Sequence, residues 1–124
     1  MRIGFIQHNP VFGEIESNLS KVESLLPYDK TDLMVLPKLF NTGYHFLSRE
    51  EVLTLSEPVP EGPTTQTLIR ICSEKQTAII AGIAECDGDQ VYNSAVIVSP
   101  KGYLGKYRKI HLFDTEKNYF NRGN

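Results

Sequence analysis

The stretch "DLMVLPKLFNTGYHF", residues 32–46, decides the fold that this sequence predicts. Its first part, Asp32 to Leu36, is apolar on both parities, which is typical of a strand covered on both faces. Pro37 ends the run and Lys38 follows, where the strand delivers the chain to its carboxyl end. Binding and catalytic groups of α/β proteins lie at such ends. Lys38 is therefore either a surface residue, which its spacing alone favours, or part of a site.

Strands and helices alternate on both sides of this stretch. Before it, the pattern predicts a strand over Arg2 to Gln7 and a helix from Ile15 to Leu26, with Ser17 or Asn18 as a cap. After it, we expect a short helix near 48–55, a helix capped by Thr64 or Thr65, a strand over 77–84, and a hairpin of strands 91–99 and 102–110. This order predicts an α/β (α+β) fold: a mixed-sheet layer with helices on one face and right-handed crossovers.

Composition narrows the classes of protein to consider. The chain has 124 residues, 40% of them hydrophobic and 23% charged, which indicates at most one globular domain. A net charge of -2 argues against nucleic acid or an anionic membrane as a partner. No apolar run approaches the ~20 residues of a membrane span, and the first residues do not resemble a signal peptide. Two cysteines are too few for a disulfide scaffold, so we expect a cytoplasmic protein.

The densest polar segment is "GKYRKIHLFDTE", residues 105–116. Lys109 stands there between aromatic and apolar neighbours as either a surface lysine, which spacing favours, or a functional cation. Asp114 and Glu116 follow and could pair with it. The three histidines show no metal-ligand spacing, so no metal site is predicted. Cys72 falls on the apolar face of its helix, as a small core residue would.

Four segments resemble one known family: "MRIGFIQHNPVFGEIESNLSKVESLL", "DLMVLPKLFNTGYHF", "VYNSAVIVSPKGYLGKYRKIHLF" and "EKNYFNRGN". Together they resemble the carbon–nitrogen hydrolases, the nitrilase/amidase family, from Met1 to Asn124. The resemblance implies an α-β-β-α sandwich whose single domain is considerably longer than this chain. Residues 1–124 are then the N-terminal part of one such domain, incomplete at the C-terminus.

The resemblance also implies a mechanism. Such enzymes act on amides, nitriles or carbamoyl compounds through a glutamate base, a lysine that stabilises the oxyanion and a cysteine nucleophile, with no metal or organic cofactor. The family lysine falls on Lys109, and a supporting glutamate on Glu116. Phe40 and Tyr44 occupy the loop that lines substrate pockets.

Two departures from the family pattern matter more than the matches. Lys38 stands where the family has its glutamate, and the family cysteine lies beyond residue 124, so neither Cys72 nor Cys86 is assigned as nucleophile. An ammonium cannot accept a proton, and this chain alone is therefore predicted to be inactive.

A second ammonium near Lys109 would also cost about 4 kcal/mol at ~4 Å and a dielectric of ~20. Turning Lys38 away, pairing it with Glu116 or lowering a lysine pKa would relieve this repulsion. The alternative is a non-enzymatic binding or partner module that keeps the fold. In either case, exposed apolar surface predicts self-association or a complementary C-terminal half.

Overall fold

The computed structural model describes all 124 residues, Met1 to Asn124. Its strands are β1 (Ile3–Phe5), β2 (Leu33–Val35), β3 (Ala78–Asp87), β4 (Gln90–Ser99) and β5 (Gly102–Arg108). Its α-helices are α1 (Ile15–Leu25), α2 (Arg49–Leu55) and α3 (Pro63–Lys75), and a 3-10 helix spans Asp114–Asn118. None of these helices has both the length and the apolar character that crossing a bilayer requires.

The strands form one mixed sheet in the order β1-β2-β3-β4-β5. β1, β2 and β3 run parallel, and β3, β4 and β5 pair as antiparallel neighbours. The mixed sheet and the β4–β5 hairpin are confirmed. Their order follows from the connections, since helices join the parallel strands and tight turns join the antiparallel ones.

The main core lies between one face of the sheet and two helices. Alternate β3 residues Ile79, Ala81 and Ile83 are fully buried there, against Val22 of α1 and Leu68 of α3. A second, smaller cluster forms beyond the end of β2, where α2 packs against β3 and β4 near the turn that joins these two strands. The apolar residues that alternate along the strands thus pack against those that recur at helical spacing in α1 and α3, on one side of the sheet.

The opposite face of the sheet is uncovered in this chain. Cross-strand register places Phe5, Val35, Ile80 and Ile97 in one row on that face. Phe5 is 73% exposed, Val35 37% and Ile97 40%. The expectation that the second strand is covered on both faces is therefore wrong for these 124 residues, because no element of the chain packs on this side.

Both predicted helix caps are also wrong. α1 begins at Ile15, so Asn18 lies inside the helix, where its buried amide donates to the carbonyls of Val11 and Asn41. α3 begins at Pro63, and the N–H of Thr64 in its first turn donates to the Glu57 carboxylate at 2.7 Å. The buried Glu57 carboxylate, which lies outside the helix, thus accepts a hydrogen bond from an N–H group that a local cap residue would otherwise satisfy.

Candidate active site

The backbone around Lys38 is held against β3. Beyond the end of β2, the N–H of Phe40 donates to the Gly82 carbonyl at 3.0 Å, and the N–H of Gly82 donates to the Pro37 carbonyl at 3.3 Å. A Cβ at Gly82 would lie 2.5 Å from the Lys38 Cα, closer than side chains allow. Glycine at position 82 therefore permits this approach, and the segment 37–40 is placed by main-chain contacts.

The side chain of Lys38 is exposed and makes no ion pair. Its Nζ lies 5.7 Å from the centroid of the Tyr44 ring, within cation–π range. Pairing of Lys38 with Glu116, one of the three expected ways to relieve its repulsion with Lys109, is not observed. The ammonium stays without a carboxylate partner.

Lys109 and Glu116 form the hydrogen-bonded part of the site. Lys109 Nζ donates to Glu116 Oε2 at 2.8 Å, as expected, and the Phe113 N–H donates to the same oxygen at 2.7 Å. Asn93 Nδ2 donates to the other oxygen, Oε1, at 2.8 Å, and the Asn93 carbonyl accepts from the Lys109 N–H at 2.9 Å. Burial alone would raise the pKa of Glu116, but these hydrogen bonds from Lys109, Phe113 and Asn93 outweigh it and hold the pKa below its ordinary value. Glu116 is therefore a fixed carboxylate that orients the lysine.

Asn93 is a residue that sequence reasoning missed. It lies on β4, 23 positions before Glu116, and only the pairing of β4 with β5 brings it beside Lys109. Its sequence signal was an amide, followed by a serine, inside a mainly apolar strand, "VYNSAVIV". A polar side chain in such a strand indicates a required hydrogen bond but not its partner.

Two depressions meet at Lys38. The larger, which we term the sheet-face depression, has a volume of about 370 Å³ and is lined by Leu36, Lys38, Ile80, Gly82, Asn93, Ser94, Ala95, Tyr107 and Lys109. The smaller, the loop cleft, has about 180 Å³ and is lined by Lys38, Leu39, Tyr44, Phe46, Phe113, Asp114, Thr115, Glu116, Tyr119 and Phe120. The structure thus brings Lys38, Lys109 and Glu116 to one region at the carboxyl end of β2.

The two aromatic residues assigned to substrate contact lie in different environments. Tyr44 is 52% exposed and lines the loop cleft. Phe40 is fully buried in the main core and lines neither depression. Its observed contacts are packing contacts, and a direct substrate contact by Phe40 stays a prediction.

Neither cysteine is near the site cations. Cys72 is fully buried on α3 against the main core, as expected, and burial raises the pKa of its thiol to about 11. Cys86, near the end of β3, packs against the second cluster. Neither lines the sheet-face depression or the loop cleft, and no group of three or more histidine, cysteine or acidic side chains is placed to hold a metal ion.

An ion cluster on the helix-covered face of the sheet was not predicted. The Glu85 carboxylate is 1% exposed and accepts hydrogen bonds from Arg108 Nε and Nη2 at 3.0 and 2.8 Å, from Ser94 Oγ at 2.6 Å and from the ammonium of Lys106. Burial alone would raise the pKa of Glu85, but hydrogen bonds from Arg108, Lys106 and Ser94 reverse this and leave the pKa below its ordinary value. The cluster ties β5 to β3 directly before Lys109.

Comparison with known proteins extends over nearly the whole chain. The family model for carbon-nitrogen hydrolase matches residues 2–124. A nitrilase from Pyrococcus abyssi is 46% identical over 99% of this chain and 48% of its own length. An (R)-stereoselective amidase from Pseudomonas sp is 32% identical over 99% of this chain and 44% of its own.

A solved structure shows the same arrangement of elements. The crystal structure of an N-terminal amidase superposes with a TM-score of 0.84 at 32% identity, over 93% of this chain and 29% of that one. The chain thus spans about half, or less, of the length of the proteins it matches.

Proposed function

This chain belongs to the carbon–nitrogen hydrolase family, and from that premise we propose that residues 1–124 are the N-terminal part of a single hydrolase domain acting on small amides, nitriles or carbamoyl compounds. The observation that carries the proposal is the lysine of the site, Lys109, held at 2.8 Å by Glu116 beside the sheet-face depression. Both cysteines are free, and the proposal includes a reducing, cytoplasmic location.

The role we propose for Lys109 is electrostatic. An ammonium fixed beside the reacting carbonyl stabilises the negative charge that develops on its oxygen. Glu116 and Asn93 are positioning residues in this scheme, because each acts through the lysine and not on the substrate. The scheme needs no metal or organic cofactor.

Lys38 cannot supply the general base that the proposed reaction needs. A general base at this position would accept the proton of a thiol and return it to the leaving amine, and an ammonium has no lone pair for this. No thiol of this chain lies at the depression either. We therefore propose that the 124-residue chain is inactive as it stands.

A chimera tests both parts of the proposal. The alignment with the Pyrococcus abyssi nitrilase spans 99% of this chain. In the chimera, residues 1–124 replace the matching N-terminal part of that nitrilase, in a native form and in a Lys38→Glu form. The release of ammonia then measures the hydrolysis of a panel of amides and nitriles. General acid–base catalysis contributes roughly 10²- to 10⁴-fold, so the Lys38→Glu chimera should exceed the native one by at least about 10².

Two controls accompany the chimeras. A Lys38→Glu, Lys109→Ala chimera should return to background, because the oxyanion cation is then missing. The free 124-residue chain should release no ammonia. Equal turnover by the native and Lys38→Glu chimeras would contradict the assigned role of position 38, and two folded but inactive chimeras would contradict the proposed reaction.

The uncovered face of the sheet indicates that another polypeptide segment packs on it. Phe5, Val35 and Ile97 expose large apolar side chains along one row of the sheet, and soluble proteins usually cover such a surface. We propose that a second copy of the chain or a complementary C-terminal half covers this face. Size-exclusion chromatography with light scattering, before and after adding the C-terminal half of a relative, tests this; a monomer that resists concentration and ignores the added half would count against it.

A non-enzymatic binding module is the second candidate. The observation that favours it is the unpaired ammonium of Lys38 at the rim of an otherwise intact depression. A cation that has no partner in the fold is available to a ligand.

A further inference from the structure

The segment that follows the 3-10 helix is held by hydrogen bonds to two neighbouring strands. The Asn121 N–H donates to the Val91 carbonyl at 2.7 Å, near the start of β4. The Gly123 N–H donates to the Lys109 carbonyl at 2.9 Å, directly after β5. We term residues 119–123 the strap. The function proposed above gives the strap no role, although it is bonded to the backbone of the site lysine.

Arg49, the first residue of α2, fastens the strap from a third direction. Its Nη2 donates to Asn121 Oδ1 at 2.7 Å and to the Asp89 carbonyl at 3.1 Å, and its Nη1 donates to the Tyr119 carbonyl at 3.4 Å. Asn121 Oδ1 also accepts from the Val91 N–H at 2.9 Å. Arg49 forms no ion pair, so all of these acceptors are uncharged oxygens. The planar guanidinium therefore fixes the relative positions of its acceptors and neutralises no carboxylate.

The strap is coupled to the backbone of Glu116. The Glu116 carbonyl accepts from the Tyr119 N–H at 3.0 Å and from the Phe120 N–H at 2.9 Å. Phe120 is 4% exposed, and its ring meets that of Phe46 edge to face at 5.8 Å between centroids. The carboxylate of the same glutamate holds Lys109 Nζ at 2.8 Å. A displacement of the strap would therefore move the backbone that carries this carboxylate.

We propose that Arg49 and Asn121 are positioning residues for the pair of Lys109 and Glu116. They hold the strap, and the strap sets the place of the Glu116 carboxylate. Neither side chain lines the sheet-face depression or the loop cleft, so each acts through Glu116 and not on a substrate. A misplacement of about 1 Å at a reacting group can lower a rate ~10²-fold. The inference rests on the proposed function in taking Lys109 as the cation that stabilises the oxyanion.

Hydrogen exchange on the 124-residue chain tests the positioning without any turnover. The N–H of Phe113, an exposed residue, donates to Glu116 Oε2 at 2.7 Å, so its exchange rate reports where the carboxylate lies. Arg49→Gln and Asn121→Leu should speed this exchange about 10-fold, the lower range for loss of a hydrogen bond to a charged group. Asn121→Asp keeps an acceptor oxygen for both donors and should exchange as the native chain does. The N–H of Val96, in the middle of β4, should keep its protection in every variant. An unchanged rate at Phe113, or equal acceleration at Phe113 and Val96, would overturn the proposal.

The same variants in the Lys38→Glu chimera connect the positioning to the reaction. Arg49→Gln and Asn121→Leu should lower kcat about 10-fold or more and leave KM unchanged, because they weaken an interaction made only in the transition state. Arg70→Gln, the matched control, removes an exposed arginine of α3 with two carboxylate partners and should change neither constant. In a chimera that turns over, an unchanged kcat in Arg49→Gln, or an equal loss in Arg70→Gln, would refute the positioning role. If every chimera is inactive, the proposed reaction is contradicted, and the exchange rates alone decide whether Arg49 and Asn121 place the carboxylate.

Discussion

Replacing Glu85 by glutamine should destabilise the chain by about 3 kcal/mol, because it removes one partner of a buried ion cluster. The Glu85 side chain is 1% exposed, so water cannot reach this position to solvate the cations in place of the lost carboxylate. Glutamine keeps the volume but presents an NH₂ group among donors from Arg108, Lys106 and Ser94. Breaking a buried pair costs roughly 3–5 kcal/mol, and we take the lower end because Lys106 and Arg108 keep 29% and 12% exposure and can rehydrate.

The matched control is Asp87→Asn. Asp87 accepts from the same Arg108 Nη2, at 3.1 Å, but is 68% exposed, so its loss should cost at most about 1 kcal/mol. Urea unfolding at pH 7, followed by far-ultraviolet circular dichroism, gives both free energies of unfolding. If the two variants lost the same stability, the buried cluster would not hold the sheet as we infer.

The pH dependence supplies an independent check of the same prediction. The folded-state pKa of Glu85 lies below that of the unfolded chain, about 4.3, so the carboxylate stabilises the fold above that pH. The stability difference between the native chain and Glu85→Gln should stay level from pH 7 to about 5 and shrink as the pH falls below about 4.3. A difference that persisted unchanged to pH 3 would contradict the assignment of the effect to the ionised carboxylate.

Three further outcomes follow from the geometry. Gly82→Ala should cost about 1–3 kcal/mol in urea unfolding, because its Cβ would meet the backbone of the neighbouring segment, whereas Gly105→Ala, with no atom within 4 Å of the added Cβ, should cost far less. Asn93→Ala should raise the pKa of Glu116, measured by NMR titration of its carboxyl carbon, because one hydrogen bond to the charged form is lost. Cys72, with a pKa of about 11 and a fully buried thiol, should resist iodoacetamide at pH 8 until the chain unfolds.

The order of elements was predictable from local signals, and the polar contacts between them were not. Alternation and turn residues indicated the sheet and its hairpin, since these patterns depend on neighbours in sequence. Glu57 caps a helix that begins six residues later, although Thr64 or Thr65 was the cap predicted from local sequence. Asn93 and Glu85 acquire partners through strand register, which no local pattern specifies. The resemblance implied site roles for Lys109 and Glu116, and the 2.8 Å contact between their side chains is visible only in the folded chain.

Lys38 and Lys109 are held in different ways, and this explains how the fold accommodates a lysine at the position where the family resemblance implies a glutamate. Lys109 is held by its side chain, through Glu116, so its ammonium has one defined position. Lys38 is held by its backbone against Gly82, and its exposed side chain is restrained only by the ring of Tyr44. Exposed substitutions away from caps and buried partners change stability by about 0.5 kcal/mol or less. Folding therefore places few demands on the side chain at position 38, whereas the mechanism proposed above places a strict one, because it needs a proton acceptor there. In the proposed scheme, a lysine at this position removes the base and leaves the pairing of Lys109 with Glu116 in place.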